Sequence, residues 1–402
     1  KIRMEKNYTA LGLMSGTSMD GVDASTIFSD GNTGVVTSIK NQYFEYDKDL
    51  YQKLTNLRDK ITNSKDLKNL FEELNSIEKE ITLFQAKIVN EMIQSHPKFE
   101  VDIVGFHGQT IFHNAQEKTS VQLGDGKLLS QLTKKKVVYN FRQNDLKNGG
   151  QGAPLTPIFH QNLVRNINLE WWPVVALNIG GISNATSVSR LYPDDDVTDF
   201  VEQRRYGKDY KLFAEDIGPG NCLIDEWIRK NSKYRYDKDG LIAKSGKVDE
   251  LIFNQAVDNF LHLDSSKNKS LDVKDFDISF VRGLSLEDGA ATLTHFTARL
   301  IGSGLINFMM KSYAPRMEVL SKATCLVCGG GRKNKLLIDI LKKNLNIKEL
   351  LSIDEHGIDG DFIESQAFAY LAIRSYLGLP ISYPSTTGCK KPTTGGVIVT
   401  NY

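Results

Sequence analysis

Cysteine is scarce: four in 402 residues do not make a disulfide framework. Cys325 and Cys328 form a Cys-x-x-Cys pair, but no second pair or histidine partner stands at zinc-finger spacing. They lie in the short apolar run Ala323 to Cys328 and read as buried strand residues. Excess charge of either sign is also missing, with 50 basic against 49 acidic residues and a formal net charge of +1. Such a chain has no field to recruit nucleic acid or an anionic membrane surface, so the expected partner is a small molecule. No uninterrupted apolar run approaches the roughly 20 residues of a membrane span, and Lys1 to Tyr8 is polar with no hydrophobic signal segment. Cytoplasmic residence is the expectation, and Lys1 to Arg3, ahead of Met4, take no part in the fold reading. There is neither a G-x-x-x-x-G-K-[ST] loop nor a G-x-G-x-x-G after the first strand, which removes the best support for P-loop and Rossmann readings. No repeat of fixed period is visible.

What is present begins just after the apolar stretch Ala10 to Met14. Ser15, Gly16, Thr17, Ser18, Met19, Asp20, Gly21, Val22 and Asp23 combine small residues, hydroxyls and two acids. Backbone N–H groups there could approach an anion closely, with Asp20 and Asp23 holding Mg²⁺ directly or through water; the alternative is a plain hairpin turn. Asp47 to Ile93 carries apolar residues at three- and four-residue steps and reads as helical, broken near Thr62 to Ser64. Val101 to Phe106 reads as a buried strand delivering His107, Gly108, Gln109 and Thr110 at its end. Val137 to Phe141 precedes Arg142 and the glycine-rich Gly149 to Pro154, which includes Gln151 and Gly152. Val174 to Ile179 ends in Gly180 and Gly181. Residues 187 to 212 read as a solvated excursion, and Asp216 to Asn221 as a glycine-proline turn with Asn221 as helix N-cap. Leu286 to Met310 and Asp361 to Leu377 are long helices, and Thr324 to Val327 is a strand feeding Gly329, Gly330, Gly331 and Asn334.

Strands that end in glycines, at Ser15, Gly180 and Gly329, with helices between them, argue an α/β fold. A chain this long is expected to form two domains with a cleft between them. The expected division is 1–140, rejoined by about 380–402, against 141–379. Two phosphate turns and one adenosine turn form the layout of the hexokinase, actin and Hsp70 superfamily, a ribonuclease H-like ATPase fold.

A closer resemblance lies in the motifs themselves. Leu13 to Asp23 (LMSGTSMDGVD), Gly105 to Thr110 (GFHGQT), Asn140 to Arg142, Gly149 to Leu155 (GGQGAPL), Leu177 to Asn184 (LNIGGISN), Asp216 to Asn221 (DIGPGN), Cys328 to Arg332 (CGGGR) and Phe362 to Ala369 (FIESQAFA) resemble, in order, those of the anhydro-N-acetylmuramic acid kinases. The resemblance implies transfer of the ATP γ-phosphate to O6 of 1,6-anhydro-N-acetylmuramate while water opens the anhydro bridge, a step of cell-wall recycling. It implies a catalytic aspartate at Asp216 and a second carboxylate at Glu364. It further implies nucleotide contacts from Gly16 to Asp23, from Asn178, Gly180 and Gly181, from Gly218, Gly220 and Asn221, and from Gly329 to Gly331 with Asn334. Mg²⁺ falls to Asp20 and Asp23, and a homodimer is suggested.

Each of these residues also has a plainer reading. Asp216 would close an Asx-turn, Glu364 would sit at a helix start with the macrodipole, and Arg142 would make a surface ion pair. His107, Gln109, Thr110, Gln151 and Gly152 are read as lining the sugar, with Arg142 gripping its lactyl carboxylate as a bidentate fork. Two features depart from the family pattern, a longer stretch between Asn184 and Asp216 and the segment Lys269 to Phe276. The rival functions are a kinase for an unadorned anhydrosugar such as levoglucosan, and a nucleotide switch like actin or Hsp70.

Overall fold

The computed structural model describes residues 6–32, 36–190, 210–262, 271, 276–313 and 321–402. The polar excursion read over 187–212 and the segment Lys269 to Phe276 fall mostly outside them. What is described at the margins of that excursion is strand rather than solvated loop. The chain forms two compact units, one from the segment ending at Asn168 together with Phe362–Tyr402, the other from Leu169–Arg190 and Lys211–Asp361. These division points differ from the expected 140 and 380, because the Gly149–Gly152 loop and the last long helix both bond into the first sheet's unit.

In the first unit, β1 (Tyr8–Ser15), β2 (Gly21–Ser29) and β3 (Val36–Glu45) form an antiparallel meander. Then β4 (Ile103–Asn114) lies parallel to β1, β5 (Thr119–Leu123) folds back on β4, and β6 (Lys136–Tyr139) lies parallel to β4 on its other side. In the second unit, β7 (Val174–Ile179), β8 (Ile182–Arg190) and β9 (Tyr210–Pro219) stand in that order, and β10 (Thr324–Cys328) and β11 (Glu349–Ser352) extend the other edge in parallel. A last strand, β12 (Val397–Val399), pairs antiparallel with β6 inside what reads in sequence as a Thr/Gly/Pro tail. Counting five strands along the chain, both sheets run 3-2-1-4-5 in space, with β5 and β12 added to the first. This doubled order is the hexokinase/actin-like, ribonuclease H-like α/β fold. It is a repeat of topology that the sequence does not show as a period.

The alternation of strand side chains decides what each sheet face receives. On one face of the first sheet Leu11, Leu13, Val22, Ala24, Val104 and Phe106 pack against Leu50, Leu54 and Leu57 of the Lys48–Lys60 helix and Ile77, Ile81 and Ile88 of the Phe71–Ser95 helix. Asp47 caps the first of these helices by accepting from Leu50 N at 2.8 Å. The break between them is made by Asp66, whose carboxylate accepts from the Thr62 and Asn63 amides. The opposite face carries Gly12 and Gly105, and the Ile363–Tyr376 helix lies directly on them. A Cβ on Gly12 would stand 1.9 Å from Ser365 O, and one on Gly105 2.3 Å from Phe368 O. At its far end this helix is anchored by Arg374, fully buried, which donates to Pro380 O and Gly31 O at 2.8 Å each and to Tyr383 Oη at 3.1 Å.

In the second unit Val175, Leu177, Cys325 and Val327 pack on Ile301, Leu305 and Phe308 of the Leu286–Tyr313 helix and on Leu337 and Leu341 of the Lys335–Asn344 helix. Cys325 and Cys328 are buried strand residues that form no disulfide, as their apolar setting suggests, and burial pushes the Cys325 thiol up to about 12. A separate apolar cluster joins Trp227 and Ile228 of the Cys222–Asn231 helix to Val281, Leu293 and Phe296. No helix among the described residues is long and apolar enough to cross a membrane.

Gly105→Ala should overpack the seam between β4 and the Ile363–Tyr376 helix and cost about 2–3 kcal/mol. A thermal melt would show it as a lowered Tm.

Candidate functional site

The turn between β1 and β2 closes through Met19 N, which donates to Gly16 O at 3.2 Å, with Met19 at φ +57°. Met19 and Val22 point into the apolar core, so from these two residues only backbone faces outward. Thr17 and Ser18 are exposed, and no hydrogen bond among the described residues uses their amides. Ser18 Oγ donates to Asp20 Oδ1 at 2.6 Å. Asp23 lies on β2 two residues from Ser25, hence on the same face, and Ser25 Oγ meets Ser365 Oγ at 2.6 Å at the start of the last long helix.

Beneath the turn, Ser15 Oγ lies 2.5 Å from Gln109 Oε1 and 3.0 Å from Tyr46 Oη, and Gln109 Nε2 donates to Gly16 O at 2.9 Å. Gln109 is fully buried. Its amide holds the glycine-hydroxyl turn from below, where the sequence suggests a sugar contact. Thr110 is likewise engaged within the unit, its Oγ1 accepting from Gln122 Nε2 at 3.2 Å. These residues do not end β4 as expected. The strand continues to Asn114, and they stand where β4 leaves its parallel neighbours for the β5 hairpin, with Gly108 at φ +75°.

Arg142 Nη1 donates to Gly152 O at 2.8 Å and Nη2 to His107 Nε2 at 2.9 Å. A guanidinium only donates, so His107 Nε2 accepts and its Nδ1 carries the proton given to Gly108 O at 2.8 Å. Burial, with the Arg142 charge adding to it, pushes His107 down to about 3. It is a neutral spacer rather than a proton carrier. His113, bonded to Ser120 Oγ at 2.9 Å, is pushed down to about 4 by burial and then by the same guanidinium. Glu364, half-buried in the first turn of the Ile363–Tyr376 helix, feels the opposite: burial raises its carboxyl, while Arg142 pulls it down. The first unit therefore brings together His107, His113, Arg142, Gly152 and Glu364. Gln151 joins them through a backbone hydrogen bond with His113, and its own N–H donates to Thr387 O at 2.9 Å.

In the second unit, Asp216 is not in a turn. It lies within β9, three residues before the strand ends, and its Oδ2 accepts from Leu271 N at 2.9 Å, fifty-five positions away. The local Asx-turn reading is thereby replaced by a long-range contact. The glycine turns after β7 and β9 are stitched together: Gly220 N donates to Gly181 O at 2.9 Å, Asn221 N to Gly180 O at 2.7 Å, and Ser183 Oγ to Pro219 O at 2.9 Å. Asn221 holds the N-cap position of the Cys222–Asn231 helix, but its side chain makes no capping bond. Asn334 does cap, its Oδ1 accepting from Leu337 N at 3.1 Å. Asn178 is buried against Gly329, and Arg332 locks the same turn by donating to Gly329 O, Asp354 and Asp361. The two carboxylates raise Arg332 against the opposing effect of burial, and Asp354 is held down to about 2.

The glycines separate into two kinds. Gly21, Gly220, Gly329 and Gly331 are needed by packing: a Cβ on them would stand 2.1–2.4 Å from Phe44 O, Gly180 O, Asn178 Oδ1 and Ile179 Cγ2. Gly218 is buried against Leu300 of the Leu286–Tyr313 helix. Gly16, Gly180 and Gly330 have no positive φ, and the nearest atom to a Cβ would be 3.5–4.0 Å away. The chain itself does not require glycine there, whereas a ligand lying against the backbone would. Gly16, with the amides of Thr17 and Ser18, and Gly180 would suit phosphate groups, and Gly330 leaves room for another part of a ligand. Among the described residues no three His, Cys, Asp or Glu side chains cluster for a metal, so a cation at the first turn would draw on Asp20 and Asp23 alone, with phosphate and water completing its shell.

Residues 8–401 match the family model of anhydro-N-acetylmuramic acid kinase. The anhydro-N-acetylmuramic acid kinase of Pelagibacter ubique (strain HTCC1062) is 53% identical over 400 residues, which is 99% of this chain and 100% of the relative. That of Agrobacterium fabrum (strain C58) is 38% identical over 404 residues, 97% of this chain and 98% of the relative. Among solved structures, a ROK family glucokinase from Streptomyces griseus in complex with glucose and AMPPNP aligns with a TM-score of 0.38 and 11% identity, over 90% of this chain and 99% of that one. The chain belongs to the anhydro-N-acetylmuramic acid kinase family.

Two predictions follow from this geometry. Gly16→Ala and Gly330→Ala should leave the Tm nearly unchanged and weaken nucleotide binding measured by calorimetric titration, while Gly331→Ala should lower the Tm. His107, His113 and His160 all have depressed folded values, about 3, 4 and 4. The unfolded chain then binds more protons below about pH 6.5, so the stability these residues contribute is present above that pH and lost as pH falls toward 4. The loss is roughly 1.4 kcal/mol per unit for each histidine; a melt series between pH 7 and 4.5 measures it.

Proposed function

We infer that this chain is an ATP-dependent kinase that converts 1,6-anhydro-N-acetylmuramate and water to N-acetylmuramate 6-phosphate and ADP, in peptidoglycan recycling. The observation that carries the reading is the relative at 53% identity, spanned from end to end. Neither a levoglucosan-type kinase nor a nucleotide switch is favoured by these relatives. ATP supplies the electrophilic phosphoryl group that receives O6.

The residues divide the work by chemistry. Asp216, aimed by its bond to Leu271 N, takes the proton from the water that attacks C1. As the C1–O6 bond breaks, O6 needs no protonating acid, because the phosphoryl group takes it; one base is enough, unlike the carboxyl pair of an inverting glycosidase. Arg142, held by Gly152 O and neutral His107, grips the lactyl carboxylate. Glu364 accepts a hydroxyl or amide hydrogen of the sugar. The amides of the Gly16–Asp20 turn and the Gly180 turn take the phosphates, Gly329–Gly331 lies against adenosine, and Asp20 and Asp23 hold Mg²⁺. A cytoplasmic homodimer completes the reading.

The test uses ¹⁸O-labelled water with Mg-ATP and the anhydrosugar. Product should carry both a phosphoryl group and one labelled oxygen. Asp216→Asn should cut turnover by about 10³-fold or more while leaving nucleotide binding in place. Phosphorylated product without label would overturn the coupled reaction, and an Asp216→Asn enzyme of normal rate would remove Asp216 as base.

A further inference from the structure

Asp145 has no part in the reaction just described, yet it organises the loop beside Arg142. It is 1% exposed, and its carboxylate accepts from three donors on two segments at once. Gly152 N donates to Oδ2 at 2.7 Å, while Ser382 Oγ and Thr387 Oγ1 donate to Oδ1 at 2.5 and 2.6 Å. Gly150 lies against the same carboxylate, where a Cβ would stand 2.1 Å from Oδ2. Backbone bonds reinforce the junction: Gly150 N to Asp145 O at 2.9 Å, Gln151 N to Thr387 O at 2.9 Å and Lys390 N to Asn148 O at 3.1 Å. Gly152, fixed through its N–H, presents its carbonyl to Arg142 Nη1 at 2.8 Å. A continuous path of bonds thus runs from Ser382 and Thr387 through Asp145 and Gly152 to the guanidinium.

We propose that Asp145 is a positioning residue for recognition of the substrate carboxylate: it locks the Gly149–Gly152 loop to the Ser382–Thr387 segment so that Arg142 is aimed before substrate arrives. This rests on the assignment of Arg142 to the lactyl carboxylate. All three side-chain bonds are donated to Asp145, and a carboxylate accepts on both oxygens. An asparagine that keeps its oxygen on the Gly152 N–H turns its NH₂ toward the two hydroxyls, which must then reverse from donors to acceptors, so the isostere loses both charge-assisted bonds to the Ser382–Thr387 segment. Pre-aiming a fork matters because its cost in side-chain freedom is met during folding rather than at binding.

The experiment compares kcat and KM for ATP, for 1,6-anhydro-N-acetylmuramate and for 1,6-anhydro-N-acetylglucosamine, which lacks the lactyl carboxylate. The enzymes are wild type, Asp145→Asn, Thr387→Val, Thr387→Ser and Arg142→Ala, with amide hydrogen exchange followed over residues 149–152. Asp145→Asn and Thr387→Val should lower selectivity for the muramate at least tenfold through its KM, with the KM for ATP within about twofold of wild type. Thr387→Ser should restore it. Exchange at 149–152 should quicken in the first two variants and stay slow in Arg142→Ala. Should Asp145→Asn fail to fold, Thr387→Val carries the test alone. Selectivity lost in Arg142→Ala but kept in Thr387→Val would overturn the role of Asp145, as would a uniform fall in every parameter that tracks loss of folded protein. Wild-type selectivity in Arg142→Ala would instead sink the carboxylate assignment on which the proposal rests.

Discussion

The first unit depends on one close approach, that of the Ile363–Tyr376 helix to the glycines of β1 and β4. With no side chain at Gly12 or Gly105, helix backbone comes within contact of strand backbone. Everything at the front of that helix follows from the seam. Ser365 meets Ser25, Phe368 lies 4.5 Å from the His107 ring, and Glu364 is carried into the field of Arg142. Arg374 secures the other end by satisfying its donors with carbonyls and a phenol, so a buried charge is tolerated without a carboxylate.

Around this frame the fold uses the same strand order twice and gives the two copies different tasks. The turn after β1 is lined with hydroxyls and acids and is held from below by Ser15, Gln109 and Tyr46. The equivalent turn after β7 has bare glycines and is held by its own bonds to the end of β9. The fourth strands diverge further: β4 continues past its neighbours, beyond His107, into a hairpin that carries His113, whereas β10 stops at Cys328 and passes into the Gly329–Gly331 turn under Arg332. Hydrogen bonds beneath a glycine-rich turn are common to both units.

Much of this was legible in the chain. The strands read at Ala10 to Met14, Val174 to Ile179 and Thr324 to Val327 and the two long helices fell within a few residues of their expected bounds because their apolar spacing is unambiguous; the glycine-rich strand ends stood out by composition, whereas β5, β8, β9, β11 and several shorter helices carry no such signal. What could not be read was partnership across long separations. Nothing near Asp216 signals Leu271, and nothing in Gln109 distinguishes a ligand contact from a clamp on Gly16. Asn221 and Asn334 look alike as helix caps, yet only Asn334 bonds as one. Glycines that fill a tight seam and glycines that leave room for a ligand are identical letters, and only coordinates separate Gly331 from Gly330. Asp145 was passed over because its donors, Ser382 and Thr387, stand more than two hundred positions away.

The seam on Gly12 and Gly105 also sets an order of events during synthesis. The strands that receive the helix are made early, but the helix itself belongs to the last portion of the chain, after the whole second unit. At about 5–20 residues per second, roughly 10–40 s separate the appearance of Asn168 from that of Phe362. Throughout that interval one face of the first sheet waits uncovered, while the second unit, continuous from Lys211 to Asp361 apart from its first hairpin strands, has its material in hand. The nascent chain therefore carries its second unit toward completion first and leaves a glycine-lined sheet face without its helix until the final segment arrives.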